Sequence, residues 1–384
     1  MAKIIATAEN YAFGPVSKLI TVCEQLLEKG HDITFIGEGT AYQLASKVKF
    51  TNIYKFDTDS KEFMSWAENI FRDADALLSS VDRSSVILAK KVGLPVIWLD
   101  MLFWWWDEIP SYLFDIDLYI QQNSVKNSRN MKKYSKKIKN MKIVGPIIDL
   151  SYKTSTKKKQ LLVAYGGTEA AGWYKIGKDS NYPYTFSKLI VEQVDTRKYY
   201  KVIFAGNEKI MEDLNRRYGN KKFEFRILPH DQWLKEISNS EDVLINPGLE
   251  APLEAIAYER PVFFLPPYNS SAYVELDEFI VNGIATKENS IHFADYFPHS
   301  NYAGRNLRVI MSEFLAELKR FENSPEILED CAKRISNYLN MPIEKKNMQI
   351  KKQKQYIKAL GGNGLDETVH IIEKFLNSKN KNGK

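Results

Sequence analysis

The sequence predicts two α/β domains, each built on a parallel β-sheet, and three observations carry that prediction. The 384 residues exceed what one hydrophobic core usually serves. Short apolar runs alternate with amphipathic helical stretches, and strands separated by helices imply crossover connections and parallel pairing. The alternation breaks once, at a polar connector over residues 151–159, and then restarts.

In the first half, residues 3–8 read as a buried strand, followed by a loop over 9–14. Across 16–28, Val16, Leu19, Ile20, Cys23, Leu26 and Leu27 recur on one helical face. Gly30 then stands where a left-handed helix-capping residue is expected. Further strands are predicted at 31–37, 75–79, 95–100, 118–121 and 143–144. After Gly145-Pro146 and the connector, strands are predicted at 160–165, 201–205, 223–228, 243–246 and 262–265, with helices between them. Gly361-Gly362-Asn363-Gly364 precedes a last helix over 366–376. These elements divide the chain into domains 1–150 and 151–384. Ligands of open α/β sheets sit at the carboxyl ends of the strands, which marks those ends as the places to look for chemistry.

Hydrophobic residues make up 44% and aromatic residues 12% of the chain, enough for packed cores and against wholesale disorder. No uninterrupted apolar run reaches the roughly 18–20 residues that a membrane-spanning helix needs. The opening stretch 1–8 hints at a signal peptide, but Glu9 and Asn10 cut it too short. Cys23 and Cys331 are the only cysteines, so neither a disulfide framework nor a cysteine zinc site is expected. The expected compartment is the cytoplasm.

The net charge of +6 gathers locally, at 126–142, at Lys157-Lys158-Lys159 and beyond Lys374. Such runs attract nucleic acid or an anionic membrane surface, and they equally suit solvated loops and tails. No nucleic-acid motif accompanies them, so nucleic acid is not an expected partner. Peripheral membrane contact through these runs stays open, and nothing in the composition sets an oligomeric state.

The most distinctive stretch is 226–283, RILPHDQWLKEISNSEDVLINPGLEAPLEAIAYERPVFFLPPYNSSAYVELDEFIVNG. It resembles the donor-binding segment of GT-B glycosyltransferases, above all those related to UDP-glycosyltransferases and to the transferase that makes lipid II. In that family a Pro-Gln turn after a strand helps hold the base. Pro229-His230 stands there after Leu228, with Leu234 at the later apolar position. A His-Gly-Gly-like turn then opens a helix, with Glu eight residues after the His. The spacing from Asn246 to Glu254 matches without gaps.

The resemblance implies the GT-B architecture: two Rossmann-like parallel-sheet domains facing across a cleft. It assigns acceptor binding to 1–150 and donor binding, with a terminal helix, to 151–384. It implies transfer of a sugar from a UDP- or dTDP-sugar, a co-substrate rather than a cofactor, to a small-molecule or lipid-linked acceptor.

Physical chemistry supports the donor assignment separately. A helix start presents unpaired backbone N–H groups and a positive dipole end, which suits a pyrophosphate. Gly248 allows close backbone approach, Leu249, Glu250 and Ala251 complete the turn, and Pro252 is tolerated in a first helical turn. Glu254 can accept from two ribose hydroxyls, as its counterpart does in the family; the plain alternative is an exposed helix carboxylate. Gly166-Gly167-Thr168, after the first strand of the second half, matches the family's glycine turn beside the donor phosphates. In the first half, Gly14-Pro15, Gly30-His31-Asp32 and the crossover Ile143-Val144-Gly145-Pro146 fit the acceptor domain.

Departures bear on mechanism. His-Gly-Gly becomes Asn246-Pro247-Gly248, and the Asp-Gln pair that often reads sugar hydroxyls is replaced by Asn269-Ser270-Ser271. Many members place a catalytic His in the first loop; none of His31, His230, His292, His299 and His370 lies there. Inverting transfer needs a base for the acceptor proton. Glu9 is the first candidate and Asp100, at a strand end, the second, though each also suits capping or loop hydrogen bonding. Asn10, Phe13 and Gly14 of the first loop, with Phe103, Trp104 and Trp105, are candidate acceptor contacts, since aromatic rings stack on planar or sugar groups. The same tryptophans equally suit packing of a loop onto the domain. Around 99–104 and Leu265-Pro266-Pro267 the chain also looks similar to cytosylglucuronic acid synthases.

No metal motif is present. Asp115-Ile116-Asp117 has Asp-x-Asp spacing but lies in an aromatic segment, where a turn carboxylate pair is the expected role. Metal-independent transfer follows, with helix dipoles in place of a cation. Two other functions remain open: a nucleotide-sugar hydrolase or 2-epimerase of the same fold, and a helper subunit that binds donor without turnover.

Overall fold

A computed structural model describes residues 1–11, 13–168, 181–297 and 307–382. His299 lies outside these residues, as do Ala12 of the first loop and the last two residues of the basic tail. The chain divides into two compact units, Met1–Asp149 with Ile357–Lys384, and Leu150–Tyr356.

The first unit holds a seven-stranded parallel sheet. Its strands are β1 (Lys3–Ala8), β2 (Asp32–Gly37), β3 (Asn52–Lys55), β4 (Ala76–Ser80), β5 (Val96–Asp100), β6 (Leu118–Gln122) and β7 (Met141–Val144), in the order β3-β2-β1-β4-β5-β6-β7. Side chains of β4 and β5 are buried throughout, as expected when both faces of a parallel sheet are covered. The covering helices are α1 (Gly14–Glu28), α2 (Gly39–Ala45), α3 (Phe63–Arg72), α4 (Arg83–Val92) and α5 (Ser128–Tyr134). The edge strand β3 escapes sequence reading because Asn52, Tyr54 and Lys55 are exposed and break the apolar run.

The second unit repeats the design with five parallel strands. These are β8 (Gln160–Gly166), β9 (Lys201–Gly206), β10 (Phe223–Arg226), β11 (Asp242–Ile245) and β12 (Val262–Phe264), in the order β10-β9-β8-β11-β12. Its helices are α6 (Tyr182–Glu192), α7 (Glu208–Tyr218), α8 (His230–Asn239), α9 (Ala251–Ala257), α10 (Ser270–Val281), α11 (Leu307–Glu322), α12 (Pro325–Leu339) and α13 (Ile343–Ala359). In each sheet the strand order reverses once, between β1 and β4 and between β8 and β11. Such a reversal parts two loops at the carboxyl edge and opens a crevice there.

The terminal helix α14 (Leu365–Asn382) corrects the expected boundary. Sequence places it with 151–384, whereas it packs on the first unit. Leu365, Val369, Ile372 and Leu376 form its buried stripe. His31 Nε2 lies 2.5 Å from Glu373 Oε1, and Lys379 reaches Asp117 at 2.7 Å. The turn before the helix is interlocked with the end of the first sheet. Gly364 N–H donates to the Pro146 carbonyl at 2.8 Å, and a Cβ on Gly145 would collide with the carbonyl oxygen of Gly362. Among the described residues no helix is long and apolar enough to cross a membrane.

Candidate functional site

At the carboxyl edge of the first sheet, β1 delivers Glu9 to the reversal point. Its backbone N–H donates to the Ser80 carbonyl at the end of β4, at 3.0 Å. Val81 follows with φ of 64°, a left-handed conformation that a β-branched residue adopts only under constraint. Buried Asp82 then caps α4, accepting from Ser85 N–H at 3.2 Å and Ser85 Oγ at 2.6 Å. Burial and the charges of Asp82 and Asp59 push the Glu9 carboxyl up to about 7; Arg83 opposes them, and Asp57 adds to the rise. A carboxyl poised there exchanges protons near neutrality, as a general base must.

The other first-loop candidates are engaged by the fold. Asn10 Oδ1 accepts from Thr40 N–H and Thr40 Oγ1, each at 3.0 Å, and so ties the loop to α2. Gly39 needs its φ of 55°, and a Cβ there would strike the Asn10 side chain. Gly14 opens α1, with half-buried Phe13 as the residue before it.

Asp100, the second candidate base, has no exposed surface. Its Oδ1 accepts from Leu102 N–H at 2.7 Å, and its Oδ2 accepts from Trp106 Nε1–H at 3.1 Å and from the Tyr119 hydroxyl. Burial pushes its carboxyl up, with these donors opposing. With three donors filling it and no route to solvent, Asp100 pins the tryptophan loop rather than meeting an acceptor. Phe103, an expected acceptor contact, is likewise fully buried, edge-on to Tyr119. Asn130 Nδ2 clamps the loop by donating to the Phe103 and Trp106 carbonyls at 2.6 and 2.7 Å. Trp104 packs edge-to-face on Trp105 and under the Lys126 ammonium, and only Trp105 of the pair is half-exposed. Some of the basic run 126–142 is thus spent on this loop. Asp115 and Asp117 pair with Lys139 and Lys379, in keeping with turn carboxylates.

The second sheet's reversal point lies between two of the expected donor turns, those after β8 and β11. Strand β8 ends in Gly166 at φ 70°, and two residues on, Thr168 is held at φ 51°. The Thr168 hydroxyl donates to the Gly167 carbonyl at 2.9 Å. Neighbouring β11 ends at Ile245, and Asn246 begins its turn. Asn246 Nδ2 donates to the Tyr182 hydroxyl at 3.0 Å and to the Pro266 carbonyl at 2.9 Å. Gly248 has no left-handed φ, and among the described residues a Cβ there would find only the Asn246 carbonyl oxygen, at 3.9 Å. Among the described residues nothing demands glycine at that position.

Glu254 is not the exposed helix carboxylate of the plain alternative: it is 2% exposed. Its Oε2 accepts from Trp233 Nε1–H at 2.6 Å, and its Oε1 lies 3.4 Å from His230 Nε2. Pro229 and His230 begin α8, which carries Trp233, so the expected base-binding turn and the expected ribose-binding carboxylate meet here. Leu228 is buried beside that turn, and Leu249 and Ala251 are half-buried around buried Glu250. Asn269, an expected sugar contact, caps α10 instead, its Oδ1 accepting from Ala272 N–H at 2.7 Å and Ser271 Oγ at 2.8 Å; Ser270 is buried. Sequence reading missed Trp233, although it lies within the distinctive stretch three residues after His230. It missed Val81 and Arg83 as well, which no local motif announces.

No protein-family model matches the chain, and no curated protein sequence does. Solved structures do. The calicheamicin glycosyltransferase CalG4 matches with a TM-score of 0.58 at 12% identity, over 98% of this chain and 99% of its own. Arabidopsis thaliana UGT89C1, solved with UDP-L-rhamnose, matches with a TM-score of 0.52 at 10% identity, over 96% of this chain and 98% of its own. These likenesses, with the two all-parallel sheets, give the chain the GT-B fold.

Proposed function

We propose that the chain transfers a sugar from a nucleotide-sugar donor, a UDP- or dTDP-sugar, to a small-molecule or lipid-linked acceptor. The observation that carries this reading is the carboxyl edge of the second sheet. There the glycine turn after β8 and the Gly248 turn after β11 flank the reversal point, and Glu254 lies one helical turn further on. Among the described residues none excludes a side chain at Gly248, and a ligand approaching the backbone accounts for its bareness. The pyrophosphate is assigned to the turn that opens α9, where the first amides of a helix lack intrahelical partners. The ribose is assigned to Glu254, whose carboxylate is pre-positioned by Trp233 and His230.

Glu9 is assigned the acceptor proton. Its burial among carboxylates keeps it near neutrality, where correct protonation and driving force are best balanced. Trp105, half-exposed, is assigned the aromatic acceptor contact. No metal is assigned a role; charge on the leaving phosphates is met by backbone amides.

A calorimetric screen of UDP, dTDP and their sugars tests the donor assignment, followed by mass-spectrometric acceptor profiling with the donor that binds. Micromolar binding of one nucleotide sugar and a product heavier by one glycosyl unit are expected. Failure of every nucleotide to bind overturns the reading. Binding without any product, across a broad acceptor panel, replaces it with a donor-binding helper, and release of free sugar replaces it with a hydrolase or epimerase.

A further inference from the structure

Strand β11 ends between β8 and β12, and the last backbone bonds there show where Asn246 stands. The Asn246 N–H donates to the Ala164 carbonyl at 2.9 Å, and the Leu265 N–H donates to the Ile245 carbonyl at 2.8 Å. The Asn246 side chain thus starts from the carboxyl edge of the second sheet, directly before Pro247-Gly248, and the residue is only 5% exposed. Its amide has a fixed orientation. The Tyr182 hydroxyl donates its one proton to the Pro266 carbonyl at 2.6 Å. Asn246 Nδ2 is held against both oxygens, 3.0 Å from the phenol and 2.9 Å from the carbonyl. Turning the amide over would set Oδ1 at that distance from the Pro266 carbonyl, two acceptors with no proton between them. Oδ1 is therefore the end left over, and among the described residues it is buried without a hydrogen-bond partner. A buried carbonyl oxygen lacking a donor is destabilising, and at a ligand-binding edge the donor arrives with the ligand.

We infer that Asn246 Oδ1 accepts a hydroxyl of the sugar being transferred, which makes Asn246 a specificity-determining residue of the donor site. Phosphate oxygens are themselves acceptors and carry negative charge, so a carbonyl oxygen repels them and takes a proton donor instead. The hydroxyls of a nucleotide sugar belong to its ribose and to its sugar. The ribose is assigned to Glu254, one helical turn beyond Gly248, and the pyrophosphate to the Gly248 turn itself. Asn246 stands on the other side of that turn, so the chain order Asn246, Gly248, Glu254 runs parallel to sugar, pyrophosphate and ribose. Asn269, expected from the sequence to meet the sugar, spends its Oδ1 on Ala272 N–H and Ser271 Oγ, which leaves that task open. The inference rests on the proposed donor reading; the orientation of the amide does not.

The test is calorimetry on the full chain with ligands that have and lack the sugar. UDP-glucose, UDP-galactose, UDP-N-acetylglucosamine and dTDP-glucose are each compared with their own nucleotide, and the tightest is carried forward with the monodeoxy analogues of its sugar. In the parent, one deoxy analogue should bind about tenfold more weakly than the full sugar, the scale of one hydrogen bond to a buried partner. In Asn246→Ala the full sugar should fall to the affinity of that analogue, the analogue should lose nothing further, and the free nucleotide should bind nearly as in the parent. Asn246→Ser keeps a small polar group at the head of the turn and serves, with the same expected pattern, if the alanine variant does not fold. Equal losses for nucleotide and nucleotide sugar overturn the inference and move Asn246 to the nucleotide. Unchanged affinities for both overturn it too, leaving Oδ1 to a buried water. If nucleotides bind the parent but every deoxy analogue binds like the full sugar, the inference fails while the donor reading stands. If no nucleotide binds the parent, the donor reading fails and this inference with it.

Discussion

The carboxylate of Glu254 accepts the indole N–H of Trp233 at 2.6 Å across the gap between α9 and α8. The acid is nearly solvent-free, so the indole supplies some of what water would otherwise give it. Trp233→Phe removes that donor and leaves a buried carboxylate under-satisfied. A loss of about 1–3 kcal/mol in unfolding free energy is expected, read by denaturant titration. Glu254→Gln keeps the shape and an acceptor for the indole, so its fold should survive while affinity for the nucleotide falls about tenfold or more, the scale of a lost charged hydrogen bond. Equal calorimetric affinities for Glu254→Gln and the parent would remove the ribose from this carboxylate.

Gly248 separates folding from binding. Among the described residues a Cβ there meets only one carbonyl oxygen, at ordinary contact distance, and its backbone is not left-handed. Gly248→Val should therefore leave the thermal midpoint within a few degrees of the parent and abolish measurable UDP binding. Normal UDP affinity in the folded variant would move the phosphate turn elsewhere.

Gly145 makes the opposite prediction. Its Cβ would collide with the Gly362 carbonyl, and a Cβ on Gly364 would collide in turn with the Gly145 peptide. Gly145→Ala should displace the turn before α14 and expose the stripe around Ile372. Faster amide exchange in 365–376, with little change in the second unit, is expected, together with a loss of about 2 kcal/mol or more, as for other substitutions that force backbone apart. Unchanged exchange there would mean that the interlock is dispensable.

Where residues meet in sequence, their placement is legible; where they meet only in space, it is not. The apolar runs of β1, β4, β5, β8 and β11 announce themselves because strands buried on both faces have no polar alternation to confuse them. The turn at Gly248 and the position of Glu254 follow from eight residues of local spacing. Asp100 carries no such mark. Its partners come from a loop six residues on and a strand nineteen residues on, and only folding shows that all three donors converge on one carboxylate. Resemblance proposes a ribose for Glu254, yet its burial under Trp233 is not legible in the sequence, because the contact joins two helices. The stripe of α14 shows that one face is buried without saying against which sheet. The interlocked glycines decide that.

Glu9 supplies the last prediction, in two readouts with opposite dependence on function. Burial, Asp82, Asp59 and Asp57 raise its carboxyl from an ordinary 4.5 to about 7 against the pull of Arg83. Between those values the folded chain holds a proton that the unfolded chain has released. Stability from this group is therefore fully present below about pH 4.5 and is lost as pH rises through about 7. Glu9→Gln is neutral throughout, so it should unfold less readily than the parent at pH 8 and no less readily at pH 4. Discounted for partial exposure, the gain at pH 8 is about 1–2 kcal/mol. Turnover should move the other way. A base with this titration gives the parent an acid limb near pH 7, and its removal should cost about two to four orders of magnitude in kcat. Nucleotide affinity should stay nearly constant, because a base acts on the acceptor proton in the transition state while donor contacts exist in the ground state. A stabilised Glu9→Gln that keeps parental turnover would leave Glu9 as a strained carboxyl without a catalytic role, and a substrate-assisted or retaining route would then account for transfer.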